Sequence, residues 1–238
     1  MASQSQENIS DHEEASFVKL EEIRTNILHL WKYNDTGSSG GDMKEWVNML
    51  LQTFSFSHIK IVYPSAPLQP YTPAGGSMSN VWFDRIDISP YVPEKLESID
   101  EMEGEIKDLI MSEHIAGIPS NRIIIGGFSM GGALAMHAAF RWDRQLAGVF
   151  AFSSFLNENS IIYRLLHNFP GMPVPPLLQI HGDADDLVEA RWGQETFDAL
   201  RSLGVQGQFH IIEGLGHSLH KRGLDMIKNW AESLLPEQ

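Results

Sequence analysis

The stretch from Ile123 to Phe140 constrains the fold more than any other part of the chain. Its 18 residues contain no Asp, Glu, Lys or Arg. On length alone it passes for a marginal membrane-spanning helix. Four glycines and a serine interrupt it, and it reads better in three pieces. Ile123-Ile124-Ile125 is a buried strand, Gly126-Gly127-Phe128-Ser129-Met130-Gly131-Gly132 a sharp turn, and Ala133-Leu134-Ala135-Met136 the start of a small-residue helix. Gly127-x-Ser129-x-Gly131 has the pattern of a nucleophile elbow. A chain that passes from strand to helix within a few residues forces the serine into a strained conformation, and glycines two positions either side permit the close approach. The bare pattern is weak, because a second copy exists at Gly37-Ser38-Ser39-Gly40-Gly41. That copy follows polar Tyr33-Asn34-Asp35-Thr36 and reads as a flexible loop.

The rest of the sequence fits a sheet that can hold such a turn. Strands are predicted at Ile59–Tyr63, Arg122–Ile125, Gly148–Phe152, Leu177–His181 and Gln208–Ile212. Helices are predicted at Asp42–Phe54, Pro93–Ile115, Met130–Phe140, Asn157–Asn168, Leu187–Leu203 and Lys221–Leu235. Alternation of this kind implies an α/β fold, a mostly parallel central sheet with helices on both faces. Residues 26–238 are expected to form that one domain, and residues 1–25 a tail. Residues 1–16 carry four acids and no Lys or Arg, which fits neither a secretory nor a transit signal.

Ligands of such sheets bind outside the carboxyl ends of the strands. Two further strand ends carry reactive side chains. His181-Gly182-Asp183-Ala184-Asp185-Asp186 offers three acids, any of which could orient a histidine. The bland alternative is a turn followed by a capped helix, which would use Asp186, with Asp183 as a further candidate. Gly214-Leu215-Gly216-His217-Ser218-Leu219-His220 offers a histidine in a glycine-rich loop that can swing over the sheet end as a general base. One loop histidine among ten is weak evidence, and a metal site at His217 and His220 lacks a third ligand. The order elbow serine, acid, histidine, each at a strand end, is that of the α/β-hydrolases.

Composition narrows the partners. The 17 basic and 31 acidic side chains give a net charge of −14, which argues against nucleic-acid binding and against lasting attachment to an anionic membrane. No cysteine is present, so disulfides, thiolate metal sites and a cysteine nucleophile are excluded. A cytoplasmic protein, monomeric or weakly dimeric, is expected. No cofactor and no metal are expected either.

Several segments together resemble the acyl-protein thioesterase/lysophospholipase family from about Asp35 to Pro236. They are Gly126–Gly132, Val81-Trp82-Phe83-Asp84, His181-Gly182-x-x-Asp185-x-x-Val188 and Gly214-x-Gly216-His217-Ser218. The resemblance implies an α/β-hydrolase acting on acylated proteins or small esters. It implies Ser129 as nucleophile, Asp185 as the acid, His217 as the base and the Met130 backbone N–H as one oxyanion donor. It also makes Trp82 and Phe155 the candidate substrate walls, with Phe83 equally at home as core filling. The thioesterase branch usually has Gln after the serine. Met130 points to a lysophospholipase-like sister branch and to short or medium acyl chains.

One region departs from the family. A Leu-His-Gly strand end and a short glycine-rich loop normally supply the second oxyanion donor. Here Leu28-His29-Leu30-Trp31-Lys32-Tyr33-Asn34-Asp35 lacks the glycine and is two residues longer between His29 and Asp35. A diverged loop and a wrongly joined N-terminal gene segment both fit. Losing one donor typically costs about 10²–10³ in rate. A slow esterase is therefore expected, with a catalytically impaired acyl-binding protein of the same fold as the alternative.

Overall fold

The computed structural model describes residues 26–32, 40–52 and 54–237. The tail expected over residues 1–25 and the second Gly-x-Ser-x-Gly serine, Ser39, lie outside the described residues. Six parallel strands form the central sheet: β1 (Asn26–Lys32), β2 (Ile59–Val62), β5 (Ile123–Phe128), β6 (Gly148–Phe152), β7 (Leu177–Gly182) and β8 (Gly207–Ile212). Their order across the sheet is β2-β1-β5-β6-β7-β8. The reason is visible in the side chains. Ile123, Ile125, Val149 and Ala151 enter one core, while Ile124, Phe150, Phe152 and Leu178 enter the other. Strands buried on both faces read as continuous apolar runs, as these do.

Helices cover each face. Helices α1 (Gly40–Leu51) and α7 (Lys221–Leu234) put Met43, Val47, Leu224 and Ile227 into the second core. Helices α3 (Met102–Ile115), α4 (Met130–His137), α5 (Ile161–Asn168) and α6 (Ala190–Ser202) close the first. Every residue of α4 is buried, which explains its small-residue composition. The uncharged stretch from Ile123 to Phe140 is thus strand, turn and helix. Among the described residues no helix is long and apolar enough to cross a membrane.

Several boundaries differ from the sequence reading. The helix expected over Pro93–Ile115 is two, α2 (Leu96–Asp100) and α3, joined through Glu101. The helix expected from Leu187 starts only at Ala190, because Leu187 and Val188 turn their amides onto the Asp185 carboxylate. An antiparallel ribbon of β3 (Leu68–Tyr71) and β4 (Ser77–Asn80) is not expected from the sequence, since Pro70 argues against a strand. The ribbon stands apart from the main sheet, where a missing N–H is tolerated, and its turn uses Gly75 and Gly76 at φ 65° and 80°. Strand β1 is likewise absent from the predicted strands. It pairs with β5 as far as Lys32↔Phe128, so Trp31 belongs to the strand and not to the loop after it. Residues 33–39 lie outside the described residues.

Candidate active site

Ser129 stands between the last residue of β5 and the first of α4, with φ 55° and ψ −123°. A non-glycine residue there is strained. The neighbouring strand holds it: Ser129 N–H donates to Phe152 O at 2.8 Å. The glycines that flank the motif, Gly126 and Gly132, are the ones shown to be crowded. A Cβ on Gly126 would lie 2.2 Å from the Phe150 ring, and one on Gly132 would lie 2.9 Å from Gly127 O. Met130 follows as the first residue of α4, where backbone N–H groups have no partner within the helix.

Asp185 and His217 meet from two different strand ends. His217 Nδ1 donates to Asp185 Oδ2 at 2.8 Å. A carboxylate only accepts, so Nδ1 carries the hydrogen and Nε2 presents its lone pair. Nε2 is buried and makes no hydrogen bond among the described residues, Ser129 Oγ included. Such bonds are often open in enzymes without substrate. The imidazole lies 4.7 Å, centroid to centroid, from the ring of Phe128, the residue before Ser129.

The Asp185 carboxylate is surrounded by donors. Its Oδ1 accepts from Leu187 N at 3.1 Å and Val188 N at 2.9 Å. Burial would raise its pKa, but hydrogen bonds from His181, His217 and the Val188 amide outweigh that and hold the carboxyl well below the usual range. His181 is the member that sequence reasoning left without a role. Its Nε2 donates to Val188 O at 2.8 Å and lies 3.5 Å from Asp185 Oδ2. Its Nδ1 is buried against α6 without a partner among the described residues, and a Cβ on Gly193 would lie 2.4 Å from it. The spacing of four between His181 and Asp185 is the signal that points to it.

The other candidates have structural places. Asp183 Oδ1 accepts from Gly214 N at 2.6 Å and ties the two loops together, in line with a turn role. Asp186 does not cap the next helix, contrary to the bland alternative, because α6 begins later with Glu189 at its N-cap. His220 caps α7 by accepting from Arg222 N at 3.2 Å. Trp82 and Phe83 are buried in the first core. Phe155 is buried as well and packs edge-on against Trp192 at 5.3 Å, with the Arg85 guanidinium 5.6 Å from its ring.

The arrangement has counterparts among known proteins. The family model for Phospholipase/Carboxylesterase matches residues 35–235. The chain is 49% identical over 202 residues to lysophospholipase-like protein 1 of Mus musculus, covering 84% of each. It is 32% identical over 220 residues to acyl-protein thioesterase 1 homolog 1 of Dictyostelium discoideum, covering 91% of this chain and 94% of that one. The crystal structure of SOBER1 from Arabidopsis thaliana matches with a TM-score of 0.75 and 28% identity, covering 89% of this chain and 99% of that one. The chain belongs to the phospholipase/carboxylesterase family of α/β-hydrolases.

Proposed function

We propose that the protein hydrolyses carboxylic esters or thioesters of acyl groups through an acyl-enzyme on Ser129. Ser129 Oγ attacks the acyl carbonyl carbon while its proton passes to His217 Nε2. The bond to the leaving oxygen or sulfur breaks as Nε2 returns that proton to it. Water then repeats the sequence and releases the acid. Asp185 fixes the His217 tautomer and stabilises the imidazolium. The Met130 N–H, at the start of α4, faces the developing oxyanion. The route needs no metal and no cofactor. The observation that carries this reading is the Asp185–His217 pair, with its saturated carboxylate, seated on Phe128 beside a strained serine.

Phe155 and Trp82 are proposed to wall the acyl site. Support for Phe155 comes from its neighbour Ser154, whose Cβ lies 2.9 Å from where a Gly132 side chain would begin. The acyl group of an acylated protein or a small ester fits this reading, and the Dictyostelium relative is itself named an acyl-protein thioesterase. Met130, in place of the thioesterase glutamine, favours short to medium chains. A fluorophosphonate probe should label the wild-type protein and not Ser129→Ala; labelling of the variant would overturn the nucleophile. A p-nitrophenyl ester series should peak below the longest chains, and a maximum at palmitate would refute the chain-length preference.

A further inference from the structure

A cavity of about 290 Å³ lies against α5 and α6. Its floor is apolar: Pro90, Leu156 and Ala199, with Thr196 beside them. Its walls include the rings of Tyr163 and Trp192, and two carboxylates, Glu158 and Glu195, complete the lining. No Lys or Arg lines it. We propose that this cavity binds a quaternary ammonium group. Apolar and aromatic walls favour the methyl groups of such a cation, and the carboxylates supply its counter-charge. The volume is at the small end for ligand sites and suits a headgroup or side-chain terminus, not a whole acyl ester.

The cavity is built before any ligand arrives. Trp192, Glu195, Thr196 and Ala199 are spaced i, i+3, i+4, i+7 and share one face of α6. Thr196 Oγ1 accepts from Leu156 N at 3.0 Å, which fixes the floor to the helix. Glu158 N donates to Pro90 O at 2.9 Å, and Asn157 Nδ2 donates to Ser89 O and Val92 O at 3.0 and 2.9 Å. Trp192 is held edge-on by Phe155 at 5.3 Å and by Tyr91 at 6.5 Å. The field is negative at the wall itself. Burial, helped by the smaller effects of the Glu94, Glu158 and Glu195 charges, outweighs a hydrogen bond with Thr196 and pushes the Tyr163 hydroxyl up to about 12. Glu94 is committed elsewhere, to His137 at 3.0 Å. Arg191 touches Glu195 at 3.4 Å from an exposed position, a contact that a bound cation can displace at little cost. Glu158 makes no side-chain ion pair among the described residues.

Binding is read without catalysis, so this inference stands or falls apart from the hydrolase chemistry. The indole N–H of Trp192 is buried without an acceptor among the described residues and serves as a reporter. In protein labelled with ¹⁵N-tryptophan, tetramethylammonium chloride should shift that resonance saturably within about 100 mM, while sodium chloride at equal ionic strength should not. Its assignment follows from Trp192→Phe. The double variant Glu158→Gln, Glu195→Gln, whose positions are exposed and whose fold is safe, should bind about tenfold more weakly. Methylammonium should bind more weakly than tetramethylammonium if the apolar walls contribute. Choline and Nε-trimethyl-lysine amide then distinguish a lipid headgroup from a modified side chain, the tighter of the two naming the source. Equal responses to sodium, methylammonium and tetramethylammonium would reduce the site to a plain acidic surface and overturn the proposal. So would unchanged affinity in the double variant.

Discussion

Two serines occupy matching places at neighbouring strand ends. Ser129 follows Phe128 of β5, Ser153 follows Phe152 of β6, and Phe128 and Phe152 are paired in register. Both have positive φ, 55° and 48°. Both donate their N–H to the next strand over, Ser129 to Phe152 O and Ser153 to Ile180 O, at 2.8 and 2.9 Å. They differ in the path of the chain beyond them. Helix α4 starts immediately after Ser129, whereas the chain after Ser153 runs on to a helix that begins only at Ile161. Ser129 is 8% exposed and neighbours the ring that carries His217, while Ser153 is wholly buried and its Oγ has no partner among the described residues. Backbone strain at a strand end is therefore common to both. A helix N-terminus and a histidine beside it belong to one.

Four experiments test how far that difference reaches. The largest contrast is in chemistry. Ser129→Ala should lower kcat for a p-nitrophenyl ester by about a millionfold. Ser153→Ala should leave it within about threefold, since a surplus buried hydroxyl is lost. Comparable losses at both serines would break the comparison.

The next effect concerns β1, which flanks β5 and not β6. His29, buried in β1, has its pKa lowered to about 4, first by burial and then by the charge of Lys60. A histidine whose folded pKa lies below its unfolded value near 6.5 binds fewer protons when folded than when unfolded. Stability is then full above about 6.5, falls as pH drops towards 4, and levels off below it. The loss amounts to about 3 kcal/mol. Urea titrations from pH 7 to pH 4 should show it in the wild type, and His29→Gln should flatten the slope. An unchanged slope would show that other groups carry the acid response.

A smaller effect separates Ser129 from Ser153 through the carboxylate. His181→Leu should lower kcat about tenfold with KM nearly unchanged, because Asp185 loses a donor and its aim. His181→Gln should restore part of the rate. Asp185 stays ionised above its depressed pKa, and losing His181 moves that pKa up, so the deficit should widen as pH falls. A deficit that is flat with pH, or tracks a loss of Tm, would make His181 merely structural. Gly193→Ala, which crowds His181, should err in the same direction.

The smallest effect concerns the feature the serines share. Replacing either by glycine removes the penalty of a positive φ and should raise stability by about 1 kcal/mol, less some added unfolded-state entropy. Thermal unfolding should show similar gains in Ser129→Gly and Ser153→Gly, with activity lost only in the first. A gain at one position alone would show that the two strains differ.

Much of this architecture is legible in the chain. Strand β6 has its predicted limits, because Gly148–Phe152 is a short apolar run between turn signals. The elbow is legible because strand, glycines and small-residue helix adjoin within one stretch. Spacing alone does not choose among Asp183, Asp185 and Asp186; the family resemblance singles out Asp185, the carboxylate on which Val188 N, His181 and His217 converge. Strand β1 escapes notice because Trp31 and Lys32 end it without a turn signal. The β3–β4 ribbon escapes because Pro70 is tolerated only where a strand has no partner on one side. The cavity beside α6 draws on three separate segments that no local pattern joins.

The position of β8 has a consequence for how the protein is made. Among the described residues it is the last strand and joins the sheet only through β7, and His217 lies just beyond it. During synthesis at about 5–20 residues per second, Ser129 precedes His217 by roughly 4–18 seconds. In that interval the elbow can form between β5 and β6 while the flank of β7 stays open, a ready template for another chain. One late strand both seals that flank and brings in His217, the proposed base. A chain cut short after α6 would lack the proposed base and keep an open, adhesive strand edge.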